Sequence, residues 1–268
     1  MAQGSNQHRM VFDIRGRRGH VIKVVYALLA LLMVASLFLV TGAFNLNSIL
    51  GLQSSTESAT SSLEKQAENL EAKLVKTPEA EDLLAGLTRT RINIADTMIN
   101  NGEIESTSDQ EEIKHQLALA SESWSKYLKA AAEPSAGLAV QVAPSLFQLA
   151  TVSSTNEEAL ENLEAAAGAQ EIVAEQRPSV NSWSTLALYA LYAQDKKTAE
   201  EAKAETLKLS TTKFSRESFE NQYESTEKKA KEFGEGVKAE EAGKSKSAGK
   251  ESLENPLGGL GGTSFGSE

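Results

Sequence analysis

The stretch from Val24 to Phe44, VVYALLALLMVASLFLVTGAF, contains 21 residues and no charged side chain. A helix of that length, at about 1.5 Å per residue, is about 31 Å long, which matches the hydrocarbon core of a bilayer. It also lacks the polar stripe that most buried core helices show. The stretch therefore predicts one transmembrane helix over residues 21–44. Its apolar and interfacial side chains include Val24, Tyr26, Leu28, Leu32, Leu37 and Val40.

The charges beside this stretch predict its orientation. Residues 1–23 carry five Lys and Arg against one Asp, and the first charge after the span is Glu57. Because basic residues beside a span stay in the cytoplasm, we expect residues 1–20 to form a cytoplasmic tail. A cleaved secretory signal is the competing interpretation, but an apolar core from Val24 to Val40 exceeds the usual ~7–15 residues. We expect an uncleaved single-pass protein of the cell membrane with most of its chain extracytoplasmic.

The composition after the span predicts an all-α domain. That part contains 22 Lys and Arg against 36 Asp and Glu, a net charge of −14, which argues against nucleic-acid partners. Aromatic residues make up only 6% of the chain, and the abundance of Ala, Leu, Glu and Lys favours helices. The chain has no cysteine, so disulfides and a lipoprotein anchor are excluded.

Local patterns divide this part into three segments. Residues 45–62 include the polar run SSTESATSS and predict a linker. Residues 63–233 predict a helical domain. Residues 234–268 hold 9 of the 18 glycines and few large apolar residues, which predicts a disordered tail.

Apolar residues at spacings of three and four predict the successive helices of the domain. Thr77 and Pro78 indicate a helix start, and residues 135–152 are apolar almost all round, which is typical of a central helix. The first helix has a narrow apolar seam that could pack on the domain or form a coiled coil with another chain. The seam consists of Leu63, Ala67, Leu70 and Leu74.

The sequence from Pro178, PSVNSWSTLALYALYAQDKKTAEEAKAETLKLS, resembles a tetratricopeptide repeat (TPR). Trp183, Leu186 and Ala187 match the aromatic, Leu and small residue of that repeat's first helix, and Ala199 matches the small residue of the second. Residues 194–196 stand where the turn between the helices belongs. Ala190 and Lys203 depart from the pattern, because a Tyr and a bulky apolar residue are usual there. Residues 78–132 and 135–178 look like two more degenerate helix pairs.

The resemblance implies a TPR-like α-solenoid with a concave binding surface. Combined with the predicted anchor, it is similar to membrane-anchored bacterial TPR accessory proteins, some of which associate with the secretion translocon and its chaperones. Tyr189 and Tyr192 are three residues apart on one helix and share a face. We expect one of them to be exposed in the groove and both to contact a partner protein.

Residues suited to catalysis are scarce. His115 is the single histidine after the span, and without cysteine the usual zinc ligand sets cannot form. We expect His115 to be solvated and Trp124 and Trp183 to lie in the core. The sequence therefore predicts no catalytic residue, no cofactor, no metal and no enzyme; an unrecognised hydrolase would need a cleft with convergent polar groups.

The expected function is a membrane-anchored scaffold or adaptor that binds other proteins, in secretion or in envelope protein quality control. The alternative is a structural coiled-coil protein of the envelope or of cell division, built through the apolar seam. The sequence does not identify the partner and leaves homo-oligomerisation open.

Overall fold

The structure is a computed structural model that describes residues 56–100 and 107–243, where eight α-helices and no β-strand are found. The predicted all-α class is confirmed for these residues. In chain order the helices are α1 (Thr56–Leu74), α2 (Glu81–Asn100), α3 (Thr107–Ala130), α4 (Ala136–Val152), α5 (Asn156–Gln176), α6 (Val180–Tyr192), α7 (Lys196–Leu209) and α8 (Lys213–Glu241).

The predicted membrane span lies outside the described residues. The cytoplasmic tail, most of the linker and the end of the chain after residue 243 also lie outside them. The transmembrane positions concerned are Val24, Tyr26, Leu28, Leu32, Leu37 and Val40. Within residues 56–100 and 107–243, no helix combines the length and the apolar character needed to cross a bilayer.

The helices pack as successive pairs. α2 packs on α3, α4 on α5 and α6 on α7, and three-residue connections make the last two pairs antiparallel. Each pair also contacts the next, through α2 with α4, α3 with α4, and α5 with α6, while α8 packs on α6 and α5. This arrangement is compatible with a helical-repeat fold.

Side-chain caps fix where five of the helices begin. Ser135, Thr155, Ser179, Asp195 and Thr212 each accept a hydrogen bond from a backbone N–H in the first turn of the helix that follows. Such a cap satisfies a donor that has no partner within the helix and contributes about 1 kcal/mol. The short connections between α4 and α7 are therefore defined by local sequence.

The core is built around α4, as its apolar sequence predicts. Ten of its residues are buried, and it contacts α2, α3 and α5. Phe147 on α4 also contacts the rings of Tyr189 and Tyr192 on α6, with centroid distances of 4.6 Å and 5.7 Å. α4 remains one helix although Pro144 lies inside it.

The apolar seam of α1 packs on α2 of the same chain. Ala67 is fully buried, and Leu63, Leu70 and Leu74 are half-buried against a cluster that contains Leu87 and Ile94. A Cβ placed on Gly86 would lie 3.7 Å from both methyl carbons of Leu70, so the two helices are in close contact. In this structure the seam is therefore covered within the chain.

Three predicted boundaries are wrong. α1 begins at Thr56, so the linker predicted over residues 45–62 is helical from residue 56 onward. α2 begins at Glu81 rather than at Pro78, because residues 77–80 form a turn in which the Ala80 N–H donates to the Thr77 carbonyl at 3.1 Å. α8 continues to Glu241 rather than ending at Phe233, so the prediction of disorder is wrong for residues 234–241. The extra turns are held by burial of Val237 and by a bond from the Asn156 N–H to Glu240 Oε2 at 2.8 Å.

Candidate functional site

The candidate binding site is a cleft of about 350 Å³ between α4, α5 and α6, here called the α4–α6 cleft. The lining residues of each helix include a pair one turn apart, which places that pair on one face of the helix. These residues are Val140 and Pro144 of α4, Val173 and Arg177 at the end of α5, and Thr185 and Tyr189 of α6. The cleft therefore lies where two successive helix pairs meet.

The junction of α5 and α6 is fixed by hydrogen bonds among short polar side chains. Ser179 and Ser182 form a reciprocal capping box at the start of α6, with bonds of 3.0 Å and 2.9 Å. The Ser182 hydroxyl also donates to the Arg177 carbonyl at 2.9 Å. Gln170 of α5 donates from Nε2 to the Ser182 carbonyl at 2.9 Å, below the surface. Hydrogen bonds within the chain therefore fix the backbone at the junction of α5 and α6, beside the cleft.

The apolar part of the cleft is open to solvent. Val140 is 45% exposed although it belongs to the central helix, and Pro144, one turn further on, is also exposed. Pro144 has no N–H, so the Val140 carbonyl lacks its usual donor within the helix. One side of the cleft therefore offers exposed apolar surface, next to a helix turn that lacks one backbone hydrogen bond.

The polar part of the cleft contains two groups whose hydrogen-bonding capacity is unused. The Arg177 guanidinium makes no hydrogen bond or ion pair with the described residues, and the Tyr189 hydroxyl makes no hydrogen bond with them. Tyr189 is only 2% exposed, and burial raises the pKa of its hydroxyl far above the ordinary value. The hydroxyl is therefore a neutral donor at the wall of the cleft at physiological pH.

The expected exposure of Tyr189 or Tyr192 is wrong. Tyr189 is 2% exposed and Tyr192 is fully buried, because both rings pack on Phe147 in the core. Two tyrosines three residues apart do share a helix face, but that face is turned toward α4. Tyr189 still lines the cleft, whereas Tyr192 does not.

The repeat-motif residues lie in the interface between α6 and its neighbours. Leu186, Ala187 and Ala199 are buried, and Trp183 is half-buried against the same core. The small side chains of Ala187 and Ala199 permit a close approach of helices. Their positions agree with the roles that such residues have in a helical hairpin, and none of them lines the α4–α6 cleft.

Other residues singled out from the sequence lie away from this site. Trp124 is buried and stacks on Tyr127 with ring centroids 5.3 Å apart, as a core residue should. His115 is exposed on α3. No His, Asp, Glu or Lys lines the α4–α6 cleft. Across the described ranges, no three His, Asp or Glu are grouped so as to hold a metal ion.

Sequence reasoning did not identify Arg177 or Val140 as site residues. Arg177 follows the last turn of α5 and precedes Pro178, so its sequence context indicates only a helix end. Val140 belongs to an apolar run that predicts burial on every side. The one available signal was Pro144, since a proline inside a helix frees the carbonyl four residues earlier.

Comparison of the chain with protein-family models, with curated protein sequences and with solved structures gives no match.

Proposed function

We propose that this chain is a membrane-anchored scaffold whose extracytoplasmic, TPR-like helical hairpins bind a segment of another protein in the α4–α6 cleft. The observation that carries the proposal is the combination in one cleft of exposed Val140 and Pro144 with the unpaired groups of Arg177 and Tyr189. Exposed apolar surface beside unused donors is typical of a binding site. Roles in secretion or in envelope protein quality control fit such an adaptor.

The anchor belongs to the same proposal. Val24–Phe44 would hold the scaffold at the membrane and raise its effective concentration near other membrane proteins. A reporter enzyme that is active only outside the cytoplasm, fused after Glu268, tests this arrangement. We expect reporter activity in cells, and activity of a cytoplasm-specific reporter instead would contradict the proposed location.

Binding through the cleft can be tested by crosslinking and affinity capture from membranes with the tagged full-length chain. Val140→Glu places a longer, charged side chain in the cleft and should lower recovery of the specific partner at least fivefold. Val152→Glu is the matched control, because Val152 lies on the same helix with 43% exposure against 45% for Val140, and it does not line the cleft. Equal recovery with wild type and both variants would reject the cleft as the binding surface.

The coiled-coil alternative makes a different prediction. Because α2 covers the seam of α1 within the chain, pairing of seams between two chains would require α1 to leave α2. Sedimentation of a fragment spanning residues 56–243 should therefore show a monomer. A dimer that dissociates on Leu70→Asp would favour the structural coiled coil instead.

A further inference from the structure

The α4–α6 cleft has two chemically different ends, and their arrangement indicates what kind of segment it binds. Resting on the proposed function, we infer that the cleft recognises a short extended segment of a partner protein that carries an acidic side chain. The acidic group binds at the Arg177 end, and the main chain of the segment binds beside Tyr189.

The Arg177 end is positive for three reasons. The guanidinium has no acidic partner among the described residues. It lies over the first turn of α4, since Nη2 is 3.5 Å from the position that a Cβ on Gly137 would occupy. The first turn of α6, with Ser179 and Asn181, lines the same cleft. Arg177 is exposed to solvent, and a helix N-terminus carries partial positive charge, so an anion that binds here would be attracted by the guanidinium and by both N-termini.

The Tyr189 end of the cleft is suited to hydrogen bonding with a peptide backbone. The Tyr189 ring is buried, but its hydroxyl reaches the wall of the cleft and has no hydrogen-bond partner in the described residues, so it can donate to a ligand there. Val140, across the cleft, has a carbonyl deprived of its usual helical donor by Pro144. One donor and one acceptor on opposing helices are what a peptide C=O and N–H require.

The length of the cleft sets the length of the segment. From Asn181 to Tyr189 the lining residues span eight positions of α6, or about 12 Å along the helix axis. An extended chain rises about 3.3 Å per residue, so three to four residues fit. Val140, Pro144 and Val173 give the cleft apolar walls, which favours a peptide with a small apolar side chain over an inorganic anion.

The test uses the purified full-length protein and a positional-scanning library of acetylated, amidated hexapeptides. The captured peptides are identified by mass spectrometry, and the best one is compared by fluorescence anisotropy with its analogue in which the acid is replaced by the matching amide. We expect Asp or Glu to be enriched at one position and the amide analogue to bind about tenfold more weakly, since a charge-assisted hydrogen bond is lost.

Variants assign the effect to particular groups. Arg177→Gln should abolish the preference for the acid, Arg177→Lys should restore part of it, and Arg89→Gln, an exposed arginine of α2, should leave it unchanged. Tyr189→Phe should lower the affinity for the acidic peptide and for its amide analogue by the same factor, about fivefold. Circular dichroism melting of each variant confirms that it is folded.

Three outcomes would overturn the inference. They are a library without enrichment of acidic residues, an acid preference that persists in Arg177→Gln, and displacement of the peptide by acetate at the peptide's own concentration. In each case the proposed function would stand if Val140→Glu still lost the partner captured from membranes. If Val140→Glu still bound both the captured partner and the peptide, the proposed function would be rejected instead.

Discussion

The side-chain amide of Gln194 lies against the backbone of Gly234, at a site where no larger residue would fit without displacing it. A Cβ on Gly234 would be 2.7 Å from Gln194 Cδ, while Gln194 Nε2 donates to the Ala230 carbonyl at 2.8 Å. Gln194 lies in the turn between α6 and α7, where its φ is positive, at 58°. The contact therefore joins that turn to α8.

Gly234→Ala tests this contact through stability. Alanine in place of glycine within a helix normally stabilises by about 1 kcal/mol. At position 234 the new methyl must displace the Gln194 amide and break its bond to Ala230, which costs about 1–2 kcal/mol. We expect no net gain in the free energy of unfolding, measured by denaturant titration of residues 56–243.

Gly168→Ala is the control, since a Cβ there would meet nothing within 4 Å. It should raise the free energy of unfolding by about 0.5–1 kcal/mol. In a Gln194→Ala background the two glycine substitutions should become equivalent. An equal gain for both substitutions with Gln194 intact would show that the Gln194–Gly234 contact does not constrain the fold.

The ion pair between Arg91 and Glu71 predicts a stability effect that depends on burial. Arg91 Nη2 lies 2.5 Å from Glu71 Oε1, and Nη1 donates to Gln116 at 2.9 Å, so one side chain joins α1, α2 and α3. The Arg91 side chain is only 11% exposed, and its Nε has no partner. Glu71→Gln would leave a buried cation less compensated and should lower the free energy of unfolding by about 1–2 kcal/mol.

Glu122→Gln is the comparison for that prediction. Glu122 Oε1 is 2.7 Å from Lys126 Nζ, but both side chains are more than half exposed. An exposed pair contributes about 0–0.5 kcal/mol and is screened by salt. The difference between the two variants should therefore persist in 1 M NaCl. Equal effects would mean that the burial of Arg91 does not strengthen its pairing.

Much of the fold was predictable because its signals are local. The apolar run at 135–152 indicates the central helix that α4 forms, and the caps Thr155 and Asp195 are residue types with a strong preference for that position. Along α3 the apolar residues recur at spacings of three and four and are buried: Ile113, Leu117, Ala120, Trp124 and Tyr127. These features depend on residues close together in the chain.

The remaining features depend on contacts between distant residues. Nothing near Gly234 indicates that Gln194, forty positions earlier, would pack against it and that α8 would continue. The cleft likewise requires α4, α5 and α6 to meet, so the unpaired state of Arg177 could not be read from its neighbours. Periodicity placed Tyr189 and Tyr192 on one face, but it does not tell which neighbour covers that face.

The end of α8 yields a prediction about truncation. Residues 234–241 bury Val237 and place Glu240 where its carboxylate accepts the Asn156 N–H at the start of α5. A chain that ends at Phe233 should be less stable than one that ends at residue 243 by about 2–4 kcal/mol, from one buried valine side chain and one hydrogen bond to a charged group. Both fragments begin at Thr56 and are compared by denaturant titration. Equal midpoints would show that the last turns of α8 add nothing to the fold.

The carboxyl of Glu171 predicts a stability change with a defined pH dependence. Burial, followed by repulsion from Glu175, Asp195 and Glu201, raises its pKa above the ordinary value, although Lys197 acts in the opposite direction. Because the pKa is higher in the folded than in the unfolded state, the favourable contribution of the protonated group is complete below the unfolded pKa. It is lost as pH rises through the folded pKa.

At pH 7 the charged Glu171 therefore destabilises the fold, and Glu171→Gln should raise the free energy of unfolding by a few tenths of a kcal/mol, a small gain because solvent screens a group this exposed. The gain should vanish below about pH 4, where wild type is protonated as well. A Glu171→Gln gain that is the same at pH 4 and pH 7 would mean that packing or helix propensity, and not charge repulsion at this surface of α5 and α7, accounts for it.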